Sequence, residues 1–100
     1  MIRGTTPTHT FTLPFDVDLI KSLRVIYQQN DETVLIKTLT DCAVAGNVIS
    51  YKLTQEETLQ FAQNAKVSIQ IRVLTNDGDA LASRICTVGV GACLEDGVIM

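Results

Sequence analysis

Val67, Ile69, Ile71 and Val73 alternate with Ser68, Gln70 and Arg72, the two-residue period of a strand that buries one face. Asn76-Asp77-Gly78 follows, and these residue types tolerate the positive φ angles that reverse a chain. The stretch from Lys66 to Val90 is therefore a β-hairpin, its second strand beginning near Ala80. Ser83 and Ile85 keep one facing while Val88 and Val90 fall out of phase. A one-residue bulge near Cys86-Thr87 would return them to the inner face. Gly89 and Gly91 then weaken regular pairing, and Leu94 to Met100 reads as a tail.

Alternation recurs upstream. Thr8, Thr10 and Thr12 share one face and His9, Phe11 and Leu13 the other, a strand signal rich in β-branched residues that Pro14 ends. Residues Met1 to Thr6 read as a loose arm or a poorly paired edge. Phe15 to Ser22 reads as a connection bending over the core, with Asp16 or Asp18 able to cap a helical turn. Leu23 to Gln29 predicts a strand with Leu23, Val25 and Tyr27 inward and Arg24 and Gln28 outward. Asn30-Asp31-Glu32 is a turn, and Thr33 to Leu39 returns antiparallel, its facing left open by the consecutive Val34, Leu35 and Ile36. Thr40 to Asn47 reads as a connection with turn chemistry at Ala45-Gly46-Asn47. Val48 to Leu53 is a further strand with Ile49, Tyr51 and Leu53 inward.

The period changes at Thr54. Thr54-Gln55-Glu56-Glu57 matches the capping box, in which the Thr hydroxyl accepts from the amide three residues on and the Glu reaches back. Thr58, Leu59, Phe61, Ala62 and Ala65 fall on one helical arc, opposite Glu56, Glu57, Gln60, Gln63 and Asn64. One amphipathic helix of about 8 to 10 residues is predicted, too short to stand without docking its apolar face. Together these elements specify an all-β chain: a small antiparallel β-sandwich, immunoglobulin-like, of six or seven strands with one short helix.

One hundred residues, 46% hydrophobic and 19% charged, make one globular domain spanning residues 1–100, with no linker or internal repeat. Only 5% of residues are aromatic and none is Trp, so Val, Ile and Leu must build the core. The net charge of −3 and the scattered basic residues argue against nucleic acid, which wants a clustered basic face. No apolar run approaches a bilayer span, and no apolar leader follows Met1-Ile2-Arg3-Gly4, so neither membrane binding nor export is expected. Cys42, Cys86 and Cys93 lack C-x-x-C spacing and are odd in number. Reduced thiols are expected, one or two as small core residues; a disulfide would need an oxidising compartment.

No constellation carries chemistry. His9, the one histidine, has no assignable nucleophile or orienting acid, and a structural or surface role is expected. Cys86 shares a face with Arg84, the best case for an activated thiol and a weak one. Asp16, Asp18, Asp77, Asp79, Glu95 and Asp96 lack calcium-loop spacing and read as turn residues and caps. Zinc pairs and phosphate loops are absent. No catalytic, cofactor-binding or metal-binding residue is assigned, no cofactor is implied, and an enzyme is not expected.

The opening R-G-T-T-P-T-H-T-F-T-L-P-F, the central L-T-Q-E-E-T-L-Q-F and the hairpin segments V-S-I-Q-I-R-V and D-G-D-A-L-A-S resemble small prophage-encoded proteins of gut Firmicutes. The element order is, more distantly, similar to the N-terminal domain of phage baseplate upper proteins. That resemblance implies a non-enzymatic structural or interaction module of a phage tail or baseplate, made in the cytoplasm and carried in the virion. Its partners would be other tail proteins or further copies of itself. The alternative is a small cytosolic ligand-binding or adaptor β domain of the bacterial host. Thr8 to Leu13 and the strand ending near Val90, both poor in charge, are the candidate edges for self-association or partner binding.

Overall fold

The structure, a computed structural model, describes residues 1–95 and 97–100 of the chain. Among these residues eight antiparallel strands form two sheets around one hydrophobic core. In the smaller sheet β5 (Val48–Lys52) lies between β1 (Thr8–Thr12) and β4 (Ala43–Ala45). In the larger, β2 (Ile20–Gln29) lies between β3 (Glu32–Thr38) and β6 (Lys66–Thr75), and β7 (Ala80–Ala82) and β8 (Cys86–Gly89) both pair with the far side of β6. The orders β1-β5-β4 and β3-β2-β6-β7 match B-E-D facing C′-C-F-G of the immunoglobulin plan, with no strand among the described residues at the A position beside β1.

The expected sandwich with one short helix is thus present, but its strands number eight rather than six or seven. The extra strand arises because the last one is split. Arg72 pairs with Ala82 and Ile69 with Cys86, so Gln70 and Ile71 oppose three residues, Ser83, Arg84 and Ile85. The bulge therefore sits upstream of the expected Cys86-Thr87. Ser83 explains the position: its amide donates to the Ile71 carbonyl at 2.8 Å, and its hydroxyl accepts from the Ile71 amide at 2.9 Å. A side-chain oxygen replaces the carbonyl the ladder would have used. The shift keeps Leu81 opposite Val73 and Val88 opposite Val67, so all four share the inner face.

The β2–β3 hairpin turns on Asn30 and Asp31, both left-handed at φ 54 and 63, as a two-residue turn matched to strand twist requires. A second bulge settles the consecutive apolar run. Tyr27 pairs with Leu35 and Gln28 with Thr33, leaving Val34 without an opposite residue. Val34 and Leu35 then both pack on the core while Ile36 faces solvent.

The helix α1 runs only from Gln55 to Leu59, 5 residues, shorter than the pattern implies. Its start is as expected: Glu57 N–H donates to Thr54 Oγ1 at 3.1 Å, and Thr54 N–H donates to Glu57 Oε1 at 2.9 Å. Its end is set by a buried side chain from another element. Gln29, on the inner face of β2 and 5% exposed, accepts from Ala62 N–H at 2.6 Å and donates to the Ala62 carbonyl at 2.8 Å. Those main-chain groups are no longer free to continue a helix. Arg3 Nε also donates to the Phe61 carbonyl at 2.7 Å, and Asn64 turns left-handed at φ 61. Thr58 and Phe61 are buried as the arc requires, but Ala62 is exposed.

Three connecting segments are more ordered than the sequence suggested. Val17–Leu19 forms a 3-10 turn capped by Asp16, and β2 begins straight after it at Ile20. The segment from Thr40 to Asn47 contains β4. The N-terminal arm is docked: Ile2 bridges Gly91 in parallel, with Gly91 N–H donating to the Met1 carbonyl at 2.7 Å and Arg3 N–H to the Gly91 carbonyl at 3.2 Å. Replacing Thr54 with Ala should destabilise the domain by about 1 kcal/mol, the usual loss of an N-cap oxygen, read as a shifted urea midpoint at unchanged slope.

Candidate functional site

A polar chain crosses the core between the two sheets. His9 and Tyr51 are directly opposite on β1 and β5, and Tyr27 comes from β2. The Tyr27 hydroxyl lies 2.6 Å from His9 Nδ1 and 2.5 Å from the Tyr51 hydroxyl. One proton arrangement satisfies all three groups: Tyr51 donates to Tyr27, and Tyr27 donates to a neutral His9 whose proton is on Nε2. The rings stack as well, His9 on Tyr27 at 5.7 Å between centroids. Burial pushes the Tyr27 phenol up to about 12 and raises Tyr51 too, which also donates its proton to Tyr27. Burial lowers the pKa of His9, and a protonated Nδ1 would face the Tyr27 oxygen and force the chain to reverse. Alternation alone read Tyr27 and Tyr51 as inward and put His9 on one face with Phe11 and Leu13; the meeting of the three depends on how the sheets stack.

Lys37 points inward from β3 and ion-pairs with Glu57 of α1 at 2.5 Å, its ammonium 5.9 Å from the centre of the Tyr51 ring. Burial works against the Glu57 carboxylate, but Lys37 and the Thr54 amide outweigh it and hold its pKa below the usual range. The cysteines are free thiols. Cys42 donates to the Thr38 carbonyl at 3.3 Å, and burial raises its pKa. Cys86 is exposed, and Arg84 beside it lies in the bulge. Asp16 caps its turn, Asp79 takes part in the β6–β7 turn through its main chain, and Asp77 and Glu95 are exposed. Asp96 lies outside the described residues. Among the described residues, no three of His, Cys, Asp or Glu converge to hold a metal ion.

On the outer face of the larger sheet Arg24 and Arg72 are direct cross-strand partners. Like charges so placed repel, and among the described residues neither forms an ion pair.

The four sheet edges differ in how they are guarded. β3 carries the inward Lys37 and a bulge, and β4 is only three residues long. The β7–β8 edge is broken at Ser83 and flanked at Gly89–Gly91 by the docked arm. Inward charge, shortness, bulges and covering segments are the usual protections of an edge. β1 has none of them and is flanked only by Pro7 and Pro14. Leu13 N–H donates to the Asn47 carbonyl and Leu53 N–H to the Pro7 carbonyl, so in the β1–β5 ladder residues 7, 9, 11 and 13 face β5. The amides and carbonyls of Thr8, Thr10 and Thr12 point the other way, and nothing among the described residues bonds to them.

Beside the end of β1 lies an apolar groove of about 310 Å³ between the two sheets, lined by Leu13, Pro14, Phe15, Ile71, Val73 and Leu81. Leu81 and Cys86 hold inward-facing positions opposite the buried Val73 and Ile69, yet both are exposed, Leu81 by 46%. The side of the sandwich where an A strand would lie is open. Comparison with protein-family models, curated proteins and solved structures returns no match.

Two measurements follow from this geometry. His9 binds its proton less readily folded than unfolded, so stability is full above the ordinary histidine pKa of about 6.5 and declines as pH falls toward the lower folded value, where the unfolded chain takes up the proton first. Urea titrations at pH 7.5 and pH 5.5, above the carboxylate range, should show that decline in the native chain and a smaller one in His9→Gln. Arg72→Glu should raise stability by about 0.5 kcal/mol by turning a repulsive cross-strand pair into an attractive one, with the gain shrinking in high salt.

Proposed function

We propose that the chain is a non-enzymatic interaction module that joins other proteins through the free edge of β1, in the manner of a phage tail or baseplate component. The observation that carries this reading is the row of unpaired main-chain groups on Thr8, Thr10 and Thr12, on the one edge the fold leaves unguarded. Such a row is a template for pairing with another chain. The tail and baseplate setting comes from the likeness of the opening, the L-T-Q-E-E segment and the hairpin to prophage-encoded proteins. A stable contact of this kind should bury about 1,000 Å² or more in total, so the edge would be the centre of a larger interface.

The alternative, a small ligand-binding or adaptor domain of the host cytosol, draws on the apolar groove. At about 310 Å³ the groove is at the small end of ligand pockets and adjoins unpaired main chain, which favours a polypeptide over a compact ligand. Among the described residues no helix is long and apolar enough to cross a membrane.

The test is incorporation. An epitope-tagged chain expressed in a lysogen carrying its gene should be recovered in purified tail particles at a fixed ratio to the other tail proteins. Thr10→Pro, which removes an outward-facing donor, should lower incorporation while leaving the melting temperature of the free chain nearly unchanged. Recovery of the native chain only as free protein would count against the assembly role.

A further inference from the structure

The open side of the sandwich has the shape of a missing strand. It combines unpaired N–H and C=O groups at every second residue of β1 with an apolar groove at its end and two exposed inner-face side chains, Leu81 and Cys86. A compact ligand could fill the groove but would leave the main-chain row unsatisfied. A helix has no free main-chain groups to offer it. Only an extended strand satisfies both, because its main chain pairs with one row while alternate side chains point to one face.

We propose that this side binds an extended segment of a different polypeptide, with apolar side chains at every second position, which completes the smaller sheet beside β1 and seats those side chains over the groove. The proposal rests on the interaction-module reading above and names its partner.

The described terminal segments of this chain are engaged elsewhere. The arm runs along Gly89–Gly91, and Ile99 is held on Gln55 by hydrogen bonds of 2.7 and 3.1 Å. Nor do the strands of a second copy supply the occupant. The alternating segments of β1, β2, β5 and β6 already spend their inner faces on their own core. Two β1 edges could pair, but Phe11 and Leu13 of each would stay in their own sandwich and leave both grooves empty. Aliphatic side chains suit the groove, whose lining from Leu13, Phe15, Ile71, Val73 and Leu81 is apolar. Residues between them would face solvent beside the exposed threonines and can be polar.

The experiment uses the whole chain and two end-blocked peptides of one composition, K-V-T-L-T-V-K with alternating apolar residues and K-T-V-L-V-T-K with adjacent ones. Binding is followed by amide NMR up to about 1 mM peptide, the weak end of measurable affinity. Hydrogen exchange and peptide-resolved alkylation of Cys86 are read at the highest concentration. The alternating peptide should bind saturably, slow exchange at Thr8, Thr10 and Thr12 roughly tenfold, and slow alkylation of Cys86. The scrambled peptide should bind roughly tenfold more weakly. Leu81→Glu, at an exposed position where a charge leaves the fold intact, should weaken binding of the alternating peptide without lowering the melting temperature. Equal binding of both peptides, no protection of the three threonine amides, or no effect of Leu81→Glu would each overturn the proposal. So would self-association of the native chain that protects the same amides, since the occupant would then be a second copy. A chain that enters tail particles through Thr10 yet ignores the alternating peptide keeps the broader reading and loses this one. A chain that binds the peptide and enters no particle does the reverse.

Discussion

The pairing of β2 with β6 is the constraint on which the rest of the molecule depends. Both strands are ten residues long, and they are antiparallel neighbours from Ile20–Thr75 to Gln28–Ser68. Leu23, Val25 and Tyr27 on one strand and Val67, Ile69, Ile71 and Val73 on the other all point to the core and are all buried. Each such side chain contributes about 1.5–3 kcal/mol when removed from water. Because strand facing has a period of two, a slip by one residue would send every one of them to solvent, so the register is held by the whole face at once. β3 is placed on one side of this pair, and β7 and β8 on the other. The smaller sheet closes over its inner face through Ile49, Tyr51 and Leu53. The Tyr51–Tyr27–His9 chain is the polar stitch between the layers.

Where the structure follows the alternation of hydrophobic positions, its strands were legible, because pleat and burial write the same period into the residues. The inner faces of β1, β2, β5 and β6 fall as alternation implies. What was not legible depends on contacts between segments far apart in sequence. The arc from Thr58 to Ala65 is a sound helical pattern, and side chains far away in sequence, Gln29 on Ala62 and Arg3 on Leu59 and Phe61, explain why the helix stops at Leu59. The bulge in the last strand had to exist to reconcile two phases. Its position depends on the Ser83 hydroxyl standing in for a carbonyl, which phase alone cannot locate. Ala43–Ala45 carries too short and weak a pattern to announce a strand, and it is one because β5 offers a partner.

The candidate site divides in the same way. That Thr8 to Leu13 would make an unprotected edge was legible from its threonines and its lack of acidic residues, lysine and arginine. The same scarcity of charge marked the strand ending near Val90, whose edge is instead broken at Ser83 and flanked by the arm. The status of the other edges was therefore not legible. The guard on β3 is a lysine whose role depends on reaching Glu57 in another element, and the arm beside Gly89–Gly91 looked unattached in sequence. The groove could not be read from composition, because Leu13, Ile71, Val73 and Leu81 look like ordinary core residues. It exists because the position next to β1 is empty.

An unguarded edge is informative because guarding one is easy. A single lysine or glutamate among Thr8, Thr10 and Thr12 would lie in solvent, disturb no core contact and discourage pairing. The fold guards its other edges with an inward charge, shortness, bulges and a covering segment, and this one only with the flanking Pro7 and Pro14. Exposed apolar side chains at inward-facing positions work in the same direction. Leu81 and Cys86 lose burial they would gain under a covering strand, a cost borne only while the side stays open. Stability alone would favour a charge on β1 or a smaller residue at position 81. Thr10 and Leu81 together therefore weigh toward a surface that the fold keeps available, with its stability supplied elsewhere by the β2–β6 face.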